Sequence, residues 1–352
     1  MKKTVALIFG GEGRERKISE RSACNLSFLI DTKAYNLLLV GITDTGEWYI
    51  YDGEREKIEN GKWFSDKEKL TATYPIKLKN LSGLFANDKI IPICCAIPCL
   101  HGDFGEDGII QGALKAAHIK YIGQNTYASA ITSDKSYAKL VAEYLQIPTA
   151  KWFVATLSSP REARLEAEAR IGYPMFLKPT RLGSSFGAHP IYHSEEFESA
   201  YNDAYSYEGR VLIEELIPFS CELECAFLEK EGISLAPYGK ISCNGKFYDY
   251  KSKYDTDSQA KAQVIKSDLI VRIEKLVLDY SKRLVNFLEL KYLSRIDFFI
   301  TESLEVYFNE INTFPGMTKS SLYPALTEEM GLERGCFINH LISTVCSNDR
   351  GI

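Results

Sequence analysis

Two apolar, strand-like runs, Tyr292 to Ile300 and Leu304 to Ile311, constrain this chain more than any other stretch. Side chains on a strand alternate between faces, so Arg295 and Asp297 share a face on the first run. Glu310 and Asn312 share a face at the end of the second. As neighbouring strands, the two runs would gather two carboxylates, an amide and a guanidinium ahead of the turn Thr313-Phe314-Pro315-Gly316. Asp297, Glu310 and Asn312 form a hard-oxygen set suited to Mg²⁺, which is usually held by few protein ligands plus substrate phosphates. A divalent ion beside an arginine suggests a nucleotide site with phosphoryl chemistry. The same residues also suit a pair of acidic surface strands ending in a turn, and this stretch alone leaves both readings open.

The rest of the pattern is α/β. Val5 to Phe9 is a continuous apolar run, as expected of a strand buried on both faces. After the turn at Gly10-Gly11, a helix is expected from Ser19 to Ile30 and a strand from Tyr35 to Ile42. A hairpin-like aromatic region covers Gly46 to Tyr51. Ile90 to Leu100 reads as a third buried strand and Ile109 to His118 as a helix. Strand, turn and helix in this order predict a parallel sheet, with function at the carboxyl ends of its strands. From Thr126 on, helices are expected over Ser133 to Gln146 and Pro160 to Arg170, and strands over Trp152 to Ala155, Met175 to Lys178 and Val211 to Leu216. From Pro218, strands Glu224 to Leu228 and Leu235 to Ile241 precede a long helix, Leu269 to Leu288. Its apolar positions Leu269, Ile273, Leu276, Val277, Tyr280, Leu284 and Phe287 fall on one face. A helix bearing Phe337, Leu341 and Val345 closes the chain.

A length of 352 residues gives room for two or three domains, and 45% hydrophobic with 25% charged residues reads as globular. A formal net charge of −5 argues against a generic nucleic-acid or membrane-surface binder. The apolar run behind Met1-Lys2-Lys3 is too short for a secretory signal, and no run reaches membrane-spanning length, so a cytoplasmic protein is expected. Nine cysteines without a CxxC pair, with scarce histidine, speak against zinc. They are expected to be reduced and packed as small hydrophobes.

Several residues have chemical potential. Lys178 ends a strand just before Gly183-Ser184-Ser185-Phe186-Gly187, a turn that can bring backbone N–H groups to phosphate oxygens. Because the lysine precedes the glycines, this is no Walker A loop. Glu214 and Glu215 end a strand, with Glu222 following. Such acids can accept hydrogen bonds from an adenine amino group or a ribose, and equally suit solvated loop positions. The aromatic and cationic segment Phe247 to Gln259 reads as an exposed hairpin or as a mobile lid that closes on a charged substrate and delivers Lys253 to a phosphoryl group. Glu15 follows the first glycine turn, where a carboxylate could hold a substrate ammonium. Glu106 and Asp107, in His101-Gly102-Asp103-Phe104-Gly105-Glu106-Asp107-Gly108, suit the start of the next helix through its dipole.

These motifs, in order and nearly end to end, resemble the D-alanine–D-alanine ligase family of the ATP-grasp superfamily. His101-Gly-x-x-Gly105-Glu106-Asp107-Gly108-x-x-Gln111-Gly112 is similar to one family signature. Arg295-x-Asp297 with Asn309-Glu310-Ile311-Asn312-Thr313-x-Pro315-Gly316 is similar to the other. Lys178-Pro179, the Ser184-Ser185 loop, Tyr248-Asp249-Tyr250 and Lys253-Tyr254 fill the middle. The resemblance implies an α/β protein with an N-terminal parallel α/β domain (1–125) followed by a two-part ATP-grasp fold of central (126–217) and C-terminal (218–352) subdomains.

It implies ATP as co-substrate. Lys135, Lys178, Lys253 and the Ser184-Ser185 loop would meet its phosphates, Glu214, Glu215 and Ile217 would surround the base, Glu222 would take the ribose, and Phe247 would also bind ATP. Asp297, Glu310 and Asn312 would bind two Mg²⁺ ions, with Mn²⁺ as the alternative. Glu15 would fix the ammonium of the first D-alanine, in a hydrogen-bonded triad with Ser184 and Tyr254, and His101 would lie at the substrate. Ser321 and Leu322 would hold the second substrate, while Arg295 and the Gly316 N–H would stabilise the oxyanion. A homodimer is implied. Tyr254 goes with an amine nucleophile. Gly41-Ile42-Thr43, Gly46 to Tyr49 and Lys62-Trp63-Phe64 resemble the D-alanine–D-serine ligases of vancomycin-resistance systems, which indicates ancestry and not specificity. D-Serine stays an alternative second substrate because the apolar contact of Leu322 discriminates only weakly against one hydroxyl. The chain departs from the family pattern at Gly13, Lys17, Leu182, Pro218 to Glu222, and Lys319-Ser320.

Overall fold

The structure is a computed structural model that describes residues 2–230, 232–242, 261–264, 268–333 and 335–347. Its first sheet forms around β1 (Lys3–Gly10). Val5, Leu7 and Phe9 bury on one side of this strand and Ala6 and Ile8 on the other, which explains its unbroken apolar run. Helix α1 (Arg16–Leu29) covers the first side. The chain continues through β2 (Tyr35–Ile42), β3 (Trp48–Tyr51), α2 (Glu56–Glu59), β4 (Leu70–Ala72), β5 (Tyr74–Leu78), β6 (Leu81–Ala86), β7 (Lys89–Pro92), β8 (Cys95–Pro98) and α3 (Ile109–Ala116). The sheet order is β4-β3-β2-β1-β8. Only β2, β1 and β8 are parallel, because β3 and β4 return as antiparallel hairpin strands, so the expected parallel sheet is a mixed one.

The expected single strand from Ile90 to Leu100 is two strands in different sheets. β7 pairs with β6 in a separate three-stranded sheet, β5-β6-β7, and the chain changes sheets between Pro92 and Cys95 to let β8 pair with β1. Gly41 of β2 is a packing requirement: a Cβ there would lie 2.4 Å from the ring of the fully buried Trp63.

The middle of the chain contains α4 (Thr126–Ser133), α5 (Lys135–Tyr144), β9 (Trp152–Ala155), α6 (Pro160–Arg170), β10 (Met175–Pro179), β11 (His189–Ile191), α7 (Ser194–Glu208) and β12 (Val211–Glu215). Its antiparallel sheet, β11-β10-β12-β9, shares a core with α6 and α7. The last part holds β13 (Phe219–Glu229), β14 (Ile233–Ser242), β15 (Lys261–Val264), α8 (Asp268–Phe287), β16 (Leu293–Thr301), β17 (Val306–Asn312), α9 (Leu322–Glu329) and α10 (Cys336–Ser347). Its sheet is β15-β14-β13-β16-β17. Two antiparallel sheets facing a common cleft form the ATP-grasp arrangement. The apolar stripe of α8 is narrower than expected. Ile273, Val277, Tyr280 and Leu284 are buried, whereas Leu276, at the edge of the stripe, and Phe287, in the last turn, are exposed. Phe287 instead meets the Tyr144 ring at 5.2 Å.

Helix α10 does not stay with its own sheet. Phe337, Leu341 and Val345 pack into the core of the first sheet beside α1, so the two ends of the chain share one hydrophobic cluster. This return places Cys346 beside Cys94, and the two form a disulfide with Cα atoms 5.7 Å apart. The expectation that all cysteines are reduced therefore fails for this pair. The contact spans 252 residues of sequence and depends on where α10 docks, which spacing does not reveal. Thiol titration of denatured protein checks this: unreduced protein should expose two thiols fewer than reduced protein, and Cys346→Ala should remove the difference.

Candidate active site

Two adjoining cavities lie between the sheets. The inner one, about 160 Å³, is lined by Glu15, His101, Arg295, Asn312, Gly316, Ser321 and Leu322 among others. The outer one, about 320 Å³, is lined by Lys178, Ser185, Glu214, Glu215, Ile217 and Glu222, with apolar walls from Phe176, Phe219 and Phe299. Lys135, Gly183, Ser184 and Glu310 line both. Of the residues named from sequence, Asp297 lines neither cavity. Phe247, Lys253 and Tyr254, with the rest of the segment read as a lid, lie outside the described residues.

Glu15 immediately precedes α1. Two glycines let the chain close around it: a Cβ at Gly102, where φ is +64°, would lie 2.2 Å from its Oε2, and one at Gly183 would lie 3.0 Å away. The Ser184 hydroxyl donates to its carboxylate. Ser184 and Ser185 both hold left-handed backbone, with φ of 52° and 60°, a strained conformation that functional loops often keep. Burial pushes the Glu15 carboxyl up to about 7, and the Ser184 hydrogen bond opposes this only in part. Among the described residues, no cation forms an ion pair with Glu15.

The strand register builds the next part. Asp297 of β16 lies opposite Glu310 of β17 on one side and opposite Glu224 of β13 on the other, and Arg295 lies opposite Asn312. Arg295 donates to both Asp297 oxygens, at 2.8 and 2.7 Å, and its Nε is 3.4 Å from Glu224 Oε2. Asn312 Nδ2 donates to Asp297 Oδ2 at 3.0 Å. Burial works against the Arg295 charge, but Asp297 and Glu224 more than restore it and hold the guanidinium well above its usual pKa. Asp297, Glu310 and Asn312 thus form one oxygen-bearing face. Two acids and an amide, open toward the cavities through Glu310, fit a hard cation that keeps waters or phosphate oxygens as its other ligands.

A β-bulge between Asp297 and Phe298 breaks the alternation of β17 and turns Asn309 into the outer cavity. There its Oδ1 accepts from Lys178 Nζ at 3.4 Å. Sequence alternation alone puts Asn309 on the opposite face from Glu310. Lys135 Nζ lies 3.5 Å from Glu310 Oε2 and donates to the Leu182 carbonyl at 2.7 Å.

Sequence did not single out Lys139 or Glu224 in this cleft, and it gave Glu106 a different role. Lys139 Nζ contacts Glu214 Oε1 at 2.5 Å, while Lys178 Nζ contacts Oε2 at 2.6 Å. Burial alone would raise the Glu214 carboxyl, but these two ammoniums bring it down to about 2. Glu214 is therefore a counter-ion that holds Lys178 in place, and its oxygens are already engaged at the cavity wall. Glu224 is the second acid beside Arg295, and its two-residue spacing from Glu222 was the available signal. Glu106 was expected to serve the start of α3. Instead it spans the cleft: Gly102 N donates to its Oε2 at 3.1 Å, and Thr313 Oγ1 and Phe314 N donate to its Oε1 at 3.0 Å each. Asp107 takes the capping role, accepting from Ile109 N at 3.0 Å and Phe104 N at 2.9 Å.

Known proteins share this architecture. Family models described as D-ala D-ala ligase N-terminus and D-ala D-ala ligase C-terminus match residues 4–124 and 141–343. The D-alanine--D-alanine ligase of Ruminiclostridium cellulolyticum is 33% identical over 356 residues, covering 97% of this chain and 94% of its own. The crystal structure of VanG D-Ala:D-Ser ligase from Enterococcus faecalis superposes with a TM-score of 0.85 at 31% identity, covering 98% of this chain and all of that one. D-alanyl-alanine synthetase A from Vibrio cholerae O1 biovar eltor gives 0.82 at 28% identity and 99% coverage of each. Among the described residues no helix is long and apolar enough to cross a membrane.

The raised Glu15 carboxyl has a consequence for stability. The folded protein keeps this proton up to about pH 7, whereas the unfolded chain loses it near 4.5, so this group's contribution to stability falls as pH rises between those values. Glu15→Gln removes the ionisable group and keeps an acceptor for Ser184. Without ligands, it should melt about 1–2 kcal/mol more stable than the wild type at pH 8, with the gap closing near pH 5. Thermal unfolding across that range is the check.

Proposed function

The chain belongs to the D-alanine–D-alanine ligase family, and from that premise we propose how its residues join two D-alanines into D-alanyl-D-alanine with ATP, the dipeptide used in peptidoglycan precursors. A carboxylate is a poor acylating agent and must be activated. The first D-alanine sits in the inner cavity with its ammonium on Glu15. A carboxylate oxygen attacks the γ-phosphorus, the bond to ADP breaks, and an acylphosphate forms. The amine of the second D-alanine, whose carboxylate lies at Ser321 and Leu322, then attacks the acyl carbon. The resulting oxyanion is met by Arg295 and the Gly316 N–H. Its collapse expels inorganic phosphate as the amine loses its proton.

ATP occupies the outer cavity. Its base lies against Phe176, Ile217 and Glu215, its ribose at Glu222, and its phosphates at Lys135, Lys178 and the Ser184-Ser185 turn. Asp297, Glu310 and Asn312 would hold two Mg²⁺ ions, which Mn²⁺ could replace, and the metal would neutralise phosphate charge. Phe247 and Lys253 are assigned to ATP, and Tyr254 to the triad with Glu15 and Ser184, on the family resemblance alone. Residues 1–125 bring the ammonium site, and 126–217 and 218–352 form the two jaws around ATP. We place the enzyme in the cytoplasm as a homodimer.

One observation carries this reading: the bond from Ser184 to Glu15. It brings the glycine-rich turn of the outer cavity onto the carboxylate of the inner one, which sets phosphate and amino acid side by side. D-Serine as second substrate is the competing reading. It is favoured by the structural similarity to VanG D-Ala:D-Ser ligase and by Ser320 in the inner cavity wall. An apolar contact such as Leu322 discriminates only weakly against one added hydroxyl.

The test is ADP release from ATP and Mg²⁺ with D-alanine alone, then with D-serine added, and with products identified by mass. D-alanine-dependent release with D-alanyl-D-alanine as the main product is expected. No amino-acid-dependent release would refute the ligase reading, and preferential D-alanyl-D-serine would select the second. Arg295→Lys keeps a charge but loses the planar fork, so kcat should fall about 100-fold with the KM for ATP little changed. Steady-state kinetics check this.

A further inference from the structure

The turn that carries Gly316 belongs to the C-terminal part of the chain, yet its next residue is held by α1 of the N-terminal part. Met317 is fully buried. Its N–H donates to Ser22 Oγ at 3.1 Å, and its carbonyl accepts from Asn25 Nδ2 at 2.8 Å. Ser22 and Asn25 are three residues apart, so they rise from one face of α1, one above the other. They grip a single residue by its N–H and its carbonyl, and so hold the peptide groups on both sides of Met317. Ser22 Oγ also lies 3.2 Å from His101 Nε2. Burial keeps His101 neutral at ordinary pH, so Nε2 can accept the Ser22 proton while Ser22 accepts from Met317. The hydroxyl then donates once and accepts once.

The same helix begins at Glu15. Helical rise puts Ser22 about 10 Å along the axis from Glu15, and this spacing is stiff. One rigid element therefore carries both the ammonium anchor and the clamp on the oxyanion turn. We propose that Ser22 and Asn25 are positioning residues for peptide-bond formation, fixing the Gly316 N–H at a set distance from Glu15 by holding the backbone on both sides of Met317. This rests on the ligase reading above. An oxyanion donor contributes through preorganisation, so a turn free to shift loses transition-state stabilisation while leaving substrate binding intact. The readout is therefore a split between kcat and KM.

Ser22→Ala and Asn25→Asp are the variants. The second is nearly isosteric and cannot donate to the Met317 carbonyl. In the full-length enzyme with ATP, Mg²⁺ and D-alanine, each should lower kcat about 10- to 100-fold, with KM for the first D-alanine and for ATP within about twofold. A dipeptide phosphinate, whose tetrahedral phosphorus oxygen mimics the oxyanion, should bind more weakly by a similar factor. Ser22→Thr, which restores the hydroxyl, should recover most of kcat. Unchanged kcat in both variants, or equal losses in kcat and in D-alanine binding with unaltered phosphinate affinity, would overturn the proposal. Loss of activity matched only by a fall in melting temperature, without rescue by threonine, would overturn it as well. A wild type without D-alanine-dependent ADP release would instead overturn the ligase reading, so the two failures are distinguishable.

Discussion

Burying one arginine organises this cleft. A guanidinium withdrawn from water costs several kcal/mol unless charges and hydrogen bonds replace the solvent. Around Arg295 that replacement is supplied by backbone register, since β13, β16 and β17 place Glu224, Asp297, Glu310 and Asn312 beside it. A slip of one residue in either pairing would turn these side chains to the opposite face. What prevents the slip lies beneath. Cys225, Ile296, Phe298, Phe308 and Ile311 on the same strands bury in the core under α5 and α8. The apolar alternation thus enforces the polar constellation, and the core determines the site as much as it stabilises the fold.

Where local pattern and tertiary outcome rest on the same alternation, the sequence was legible. The buried run of β1, the helix from Pro160 to Arg170, and the shared face of Arg295 and Asp297 follow from periodicity alone. The grouping of Glu15, Ser184, Arg295 and Glu310 was reached through motif order, because no local pattern brings positions so far apart together. The failures have physical causes. An apolar run does not show that it changes sheets, so Ile90 to Leu100 looked like one strand. The bulge that turns Asn309 into the cleft is invisible to strict alternation. Lys139 lies on an ordinary helix, and only the tertiary fold shows that its ammonium is buried on Glu214. Cys94 and Cys346 meet because α10 docks on the first sheet.

The charges are ordered along the cleft. At the outer cavity, Lys178 lines the wall and shares Glu214 with the buried Lys139 behind it, so this acid is neutralised beside the space assigned to phosphates. In the middle, Lys135 reaches Glu310, the one acid among the described residues that lines both cavities. Innermost, Arg295 is taken up by acids on its own sheet. Glu15 stands apart: it is enclosed by glycine backbone and held by a serine hydroxyl, and no cation of the described residues pairs with it. A protein selected for stability alone would neutralise such a carboxylate or leave it in water. On the proposed reading, its burial without a counter-ion has a reason: the substrate's ammonium would supply the charge that the fold withholds. On that reading the free enzyme would hold this position at a cost to its own stability, and binding would remove that cost only for an amino acid presented in the orientation that α1 and the Gly316 turn together define.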